Sequence, residues 1–238
     1  MGKDGKRGTS DDTRIVVRKN GPYTVHGDVP LVRKAQVVSE HGEPLTWQKG
    51  KAIETGETYR LCRCGKSSKK PFCDGSHAET HFDGTESADT KATAERQVTY
   101  EGTNIVVRRD VYLCTNSGFC ANRVTSVEKM VPDTHDTQVR VQVMAMIEHC
   151  PSGSFTYCVK GGKADIEPDL PQQIAVTTEI TRAGPISGPL WVTGNIPVER
   201  ADGQPFETRN RVTLCRCGLS NEKPLCDGTH RGVGVTED

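Results

Sequence analysis

Aromatic residues make up only 5% of this 238-residue chain, and the whole hydrophobic set only 34%. A chain this poor in large apolar side chains does not build one generous core, and its length suits two or three small domains instead. Modules of that kind lean on staples, either disulfides or metals. Charge of one sign is missing as well: 31 basic and 31 acidic residues cancel. That leaves no broad basic footprint for nucleic acid. No apolar run approaches a membrane helix in length, and Met1 to Thr13 has none of the apolar stretch of a secretory leader. Myristoylation at Met1-Gly2 is disfavoured because position 6 is Lys where Ser or Thr is wanted. Walker loop, dinucleotide fingerprint and nucleophile elbow are all absent. Glycine (24), proline (13) and cysteine (10) are plentiful instead. The first two point to turns. The third, in a chain expected to be cytoplasmic, points to metal rather than disulfides, because thiols stay reduced there.

The cysteines are not scattered. Cys62-Arg63-Cys64-Gly65, Pro71-Phe72-Cys73-Asp74-Gly75-Ser76-His77 returns as Cys215-Arg216-Cys217-Gly218, Pro224-Leu225-Cys226-Asp227-Gly228-Thr229-His230, with identical spacing. Thiolate and imidazole are the ligands that soft transition metals prefer, so the chain is built to hold metal at least twice. The repeat extends upstream: Gly21-Pro22-Tyr23-Thr24-Val25 to Leu31 aligns with Gly188-Pro189-Leu190-Trp191-Val192 to Val198, which makes a whole module the duplicated unit. The first copy carries an insertion at about 34–51. Spacing alone leaves the metal open. Cys-x-Cys followed by eight residues, Cys, three residues and His lacks zinc's usual two-residue knuckle. Two bridged irons with two ligands each fit, and so does one tetrahedral zinc.

Both stretches resemble the CDGSH iron–sulfur family, the mitoNEET-like proteins, and every fixed position of that motif is met in both copies. The resemblance implies one [2Fe-2S] cluster on Cys62, Cys64, Cys73 and His77, and another on Cys215, Cys217, Cys226 and His230. Single-motif members pair as strand-exchanging dimers, so a chain with two copies is expected to fold as an intramolecular pseudo-dimer. Around the ligands, Asp74 and Asp227 are expected to lock the loop through backbone amides. Gly75 and Gly228 should allow positive φ or close approach. Ser67, Ser220, Ser76 and Thr229 either bond cluster sulfur or cap turns. One imidazole in place of a thiolate raises the potential and makes acid loss easier, because protons compete for the nitrogen. Ser76 and Glu79 have capping-box spacing, predicting a short helix from His77; the second copy lacks the Glu, so its helix should be shorter or absent. The basic run Arg63 to Lys70 reads as a solvated rim suited to an acidic partner.

Between the copies, Cys114, Cys120 and Cys150-Pro151-Ser152-Gly153 resemble a divergent single-cluster ferredoxin, with Ser117 where a central cysteine would stand. Three thiolates fit [3Fe-4S], or [4Fe-4S] with a non-cysteine fourth ligand. Cys158 reads as a buried structural thiol on the closing strand, and the fourth ligand stays open among Cys158, Ser117 or none. His149 reads as helix surface, and His81 has no counterpart in the second copy. Residues 100–107 and 155–157 read as strands and 139–148 as a helix. The whole is expected to be α+β and β-rich, organised as a disordered tail (1–13), a first CDGSH module (14–83), a linker (84–97), a ferredoxin-like domain (98–160), a second linker (161–173) and a second CDGSH module (174–238). The expected role is electron or cluster transfer to a soluble redox protein or cluster acceptor, without nucleic acid or membrane, and as a monomer. The rivals are a zinc-binding interaction module and a redox enzyme working at the open position of the central cluster.

Overall fold

Short β-branched runs separated by Gly, Pro and Asn fix the first strands: β1 (Arg14–Val17), β2 (Tyr23–His26), β3 (Leu31–Val38), β4 (Pro44–Ile53) and β5 (Tyr59–Leu61). Two single-turn helices follow, α1 (Ser76–Glu79) and α2 (Thr93–Arg96). The central part runs β6 (Val98–Glu101), β7 (Ile105–Arg109), α3 (Val127–Met130), α4 (Thr137–His149) and β8 (Phe155–Val159). The last part adds β9 (Gln173–Thr181), β10 (Gly184–Thr193), β11 (Val198–Glu199), β12 (Arg211–Leu214) and α5 (Thr229–Val233). The computed structural model describes residues 12–162 and 164–235; the tail read at 1–13 falls, but for Asp12 and Thr13, outside the described residues.

The two copies exchange strands. β1 pairs antiparallel with β2 but lies parallel to β11 of the other copy, Ile15 opposite Val198. β9 pairs antiparallel with β10 but lies parallel to β3, Leu31 opposite Ile174. The sheet orders are therefore β11-β1-β2-β5 and β12-β10-β9-β3-β4, each mixing both copies. Their inner faces share one core, to which Ile15, Val17, Tyr23, Val25 and Leu31 contribute alongside Ile174, Val176, Leu190, Val192 and Leu214. Each such side chain is worth about 1.5–3 kcal/mol on full burial, and both copies supply them. Tyr23 adds a polar tie across the halves, its hydroxyl 2.7 Å from the Cys215 carbonyl and 3.1 Å from that of Pro224.

The insertion is a β3–β4 hairpin arm. Beyond its pairing with β9 it reaches the central domain. Gln36 donates to the Ser117 carbonyl at 2.7 Å, Trp47 to that of His149 at 3.2 Å, and Glu43 accepts from the Arg123 amide at 2.7 Å. The central domain is an antiparallel sheet, β6-β7-β8, covered on one face by α3 and α4. Asp136 caps α4 by accepting from the Gln138 amide at 2.7 Å. Val143 and Ile147, one turn apart, bury its inner stripe against Ile105, Val107, Phe155 and Tyr157.

Three expectations are corrected here. Residues 100–107 form a hairpin rather than one strand, because Gly102 bonds back to Ile105 at 2.9 Å and Asn104 takes φ 67° in the turn. The helix of the second copy is longer than that of the first, five residues against four. Gly234, at φ 60°, ends it as a left-handed cap. No capping box forms in the first copy: Gly75 is the cap, and Ser76, already helical, turns its hydroxyl to Asp74 at 2.6 Å. Residues 84–97 connect the modules but are tied down along the way, with Ala88 buried and accepting from Arg200 at 2.8 Å.

Candidate functional site

In each copy an isolated bridge brings the two ends of the cysteine loop together. Leu61 faces Phe72, so that the Cys62 amide donates to Pro71 O at 2.8 Å and the Cys73 amide to Arg60 O at 3.0 Å. Leu214 faces Leu225 in the same way, with distances of 2.9 and 3.0 Å for Cys215 and Cys226. The donors then fall into pairs. Cys62 and Cys64 have sulfurs 3.8 Å apart, and Cys73 Sγ is 3.3 Å from His77 Nδ1. The second copy gives 3.6 Å for Cys215 and Cys217, and 3.3 Å for Cys226 and His230 Nδ1. A metal–sulfur bond of about 2.3 Å and a tetrahedral angle put two thiolates about 3.8 Å apart, so each Cys-x-Cys pair is spaced to hold one metal. Among the described residues, no three Cys, His, Asp or Glu side chains converge on a single ion. Donors arranged two by two can serve a pair of bridged metals, each taking one pair.

The protonation chemistry fits a cation. Cys62 is held below the ordinary thiol range by the hydrogen bond from Cys64, which is correspondingly raised; Cys215 and Cys217 repeat the arrangement. Burial pushes Cys226 well up and Cys73 up. Such pockets ionise one sulfur readily and resist ionising all three, unless positive charge arrives with the metal.

The surrounding residues do what their types suggest. Asp74 accepts from the amide and hydroxyl of Ser68 (2.8 and 2.9 Å) and from those of Ser76 (3.0 and 2.6 Å), which hold its carboxyl well below the usual range. Asp227 accepts from the amides of Asn221 and Thr229, both at 2.9 Å. Ser67 and Ser220 donate to the carbonyls of Phe72 and Leu225 at 2.6 and 2.7 Å, so these hydroxyls lock the loop rather than face sulfur. Gly75 and Gly228 both take positive φ, 101° and 88°.

In the central domain Cys114, Cys120 and Cys150 line one cavity of about 150 Å³, together with Ser117, Ser152 and Arg109. Burial pushes Cys120 up to about 11. Cys150 sits at the end of α4, extended as a residue before proline prefers. Cys158 is outside this lining. Strand alternation turns it, with Thr156, to the face opposite Phe155 and Tyr157, where it meets Arg108 at 3.4 Å. His149 lies outside the lining too, stacked on Phe119 with ring centres 6.0 Å apart.

The three loops touch in series. A Cβ on Gly65 would come within 2.5 Å of Cys217 O, and one on Gly218 within 2.6 Å of Cys64 O. A Cβ on Gly228 would be 2.8 Å from Thr115 O, beside Asn116, whose amide group donates to Asp227 O at 3.4 Å. The first site thus abuts the second, and the second abuts the central one.

Several participants escaped the sequence reading. Arg63 is not part of a solvated rim: it is 1% exposed and donates to Gly84 O at 2.7 Å, while Lys66 and Lys69 of the same run are exposed. A basic run has no burial signal, so only the equivalent Arg216, also buried and bonded to Gly188 O at 2.6 Å, could have flagged it. Arg211 donates from one nitrogen to the carbonyls of Ile147, Glu148 and Cys150 at 2.9, 2.9 and 2.8 Å, capping the C-terminus of α4. Glu179, fully buried, lies behind His230.

Residues 20–78 and 187–231 match the family described as iron-binding zinc finger, CDGSH type. Residues 100–160 match the divergent 4Fe-4S mono-cluster family. Over 25 residues the chain is 73% identical to the human mitochondrial CDGSH iron-sulfur domain-containing protein 3 and 68% identical to its mouse counterpart. Those stretches are 10% of this chain and span about a fifth of the relatives' length, 20% and 18%. No solved structure matches. No helix among the described residues is long and apolar enough to cross a membrane.

Proposed function

Because two segments match the CDGSH-type iron-binding family and the stretch between them a divergent mono-cluster one, we propose that this chain is an iron–sulfur protein that carries electrons, or hands over clusters, between soluble partners. Cys62, Cys64, Cys73 and His77 would hold one [2Fe-2S] cluster, and Cys215, Cys217, Cys226 and His230 a second. Cys114, Cys120 and Cys150 would hold a third, [3Fe-4S] or [4Fe-4S]. When bound, such groups supply one-electron chemistry at potentials tuned by charge, hydrogen bonding and exposure. The observation that carries the reading is the serial contact of the three loops through Gly65, Gly218 and Gly228. A scaffold that brings three sites backbone to backbone suits a relay; an enzyme needs instead a substrate pocket beside one of them. The exposed first site, with Cys73 and His77 part-open to solvent, offers the natural docking end. The zinc alternative lacks its usual two-residue knuckle in both copies. We place the chain in the cytoplasm, where the thiols stay reduced.

The test is anaerobic purification followed by iron and sulfide analysis and electron paramagnetic resonance. The expected result is about seven or eight irons per chain, according to the nuclearity of the central site, and reversible reduction of all three. A colourless chain containing zinc and no acid-labile sulfide would overturn it.

A further inference from the structure

The two duplicated sites differ at one point that the motif does not record. Relative to β1 and β2, the β9–β10 hairpin is extended, and its outer part carries Glu179 opposite Ile186. Glu179 Oε2 is 3.1 Å from His230 Nε2, and Arg231 ion-pairs with the same oxygen. The carboxylate is fully buried and His230 is 2% exposed. Room for the stem comes from Gly188, where a Cβ would stand 2.9 Å from Glu179 Cγ. The other ring nitrogen, Nδ1, faces Cys226 Sγ at 3.3 Å. His77 has the same Nδ1 contact with Cys73, but among the described residues no carboxylate meets its Nε2, and its ring is part-exposed.

We propose that Glu179 is a positioning residue that makes the second site unlike the first, an inference that rests on the carrier reading above. By accepting the Nε2 proton it leaves Nδ1 as the one nitrogen free for metal and fixes the ring plane. It also sets a carboxylate one ring away from the ligated metal, its charge partly offset by the Arg231 guanidinium on the same oxygen. A carboxylate behind a metal-bound histidine raises ligand basicity, and losing it costs about 10–100-fold in metal retention. Added negative charge near a cluster disfavours the extra electron. The second site is therefore the lower-potential, more firmly held member of the pair, and the first the acceptor end from which an electron or cluster leaves.

Potentiometric titration of the full-length, cluster-loaded chain, followed by paramagnetic resonance, tests this with E179Q and E179L. The wild type should show two resolved [2Fe-2S] couples. In E179Q, which removes charge but keeps an acceptor, the lower couple should move up while the upper stays. In E179L it should move further, and one of the two clusters should be lost to a chelator about 10-fold faster. The unmoved upper couple, assigned to the first site, reports that the fold survives; if E179L loses it, E179Q alone decides. A coloured, reversibly reducible protein whose couples are unchanged in E179Q overturns this inference and leaves the carrier reading standing. A protein without reversible couples sinks both.

Discussion

Glycine 65 shows how one residue joins the two sites. At φ 75° it is where an L side chain is strained, and its Cβ would collide with the Cys217 backbone, which cannot swing aside. Gly75 has φ 101° but nothing within 4 Å. Substitution by Ala should therefore cost about 1–3 kcal/mol at Gly75, from the backbone term alone, and clearly more at Gly65, with weakened retention of the clusters proposed for both duplicated sites. Urea denaturation of G65A and G75A compares them, and equal losses would mean that the loops do not press together. Arg211 supports a second residue-scale prediction. Replacing it by Met strands three carbonyls at the end of α4 and leaves Glu167, its partner at 2.9 Å, unpaired. The expected cost is about 3–5 kcal/mol, with the cluster proposed for the central site lost first. The grouping of the candidate donors was legible because their pattern is written twice. Arg211 and Glu179 were not, because a side chain that serves a distant backbone or ring leaves no spacing in its own neighbourhood.

At the scale of the element, the β3–β4 arm carries a titrating lysine at the join between copies. Lys34 pairs across β3 with Lys49 on one side and Thr177 on the other, and its ammonium lies 3.8 Å over the Trp191 ring. The ring attracts the cation, yet burial first and Lys49 second hold the group down at about 8. Between about pH 8 and the ordinary lysine value near 10.4 the unfolded chain binds more protons than the folded one, so stability should rise with pH there. Tm from circular dichroism at pH 8 and at pH 9.5 should increase in the wild type and stay flatter in K34M. An identical slope in K34M would assign the effect elsewhere. The arm itself was readable only as an insertion. Leu45 to Trp47 signals a strand, but what the strand clamps is set by Gln36, Glu43 and Trp47 meeting residues about 80–100 positions away. The hairpin at 98–109 is a different case: Gly102-Thr103-Asn104 is a turn signal written in the sequence, and reading 100–107 as one strand ran through it.

For the whole molecule the question is whether three modules unfold as three. Interfaces between domains of one chain usually permit independent motion. Here the first and last modules share both sheets and one core, so separating them means breaking the β1–β11 and β3–β9 pairings as well as exposing Leu31 and Ile174. The central domain is held from both sides, by Arg211 of β12 and by Trp47 of β4. Trp47 is the common point: its ring centre is 5.4 Å from that of Trp191 in the last module and 5.3 Å from that of Phe119 in the central one. The chain's only two tryptophans therefore report one junction, whereas far-UV dichroism reports every strand. If the shared sheets make a single cooperative unit, urea curves from the two probes should coincide, and W47A should lower both midpoints together, at a cost of about 2 kcal/mol in unfolding free energy, below a full core deletion because the ring is only half-buried. Fluorescence moving at lower urea than dichroism would mean that the junction opens first and that the modules stand alone. That outcome would also remove the reason for three sites to keep fixed contact, since loops pressed together through Gly65, Gly218 and Gly228 stay so only while the sheets beneath them hold.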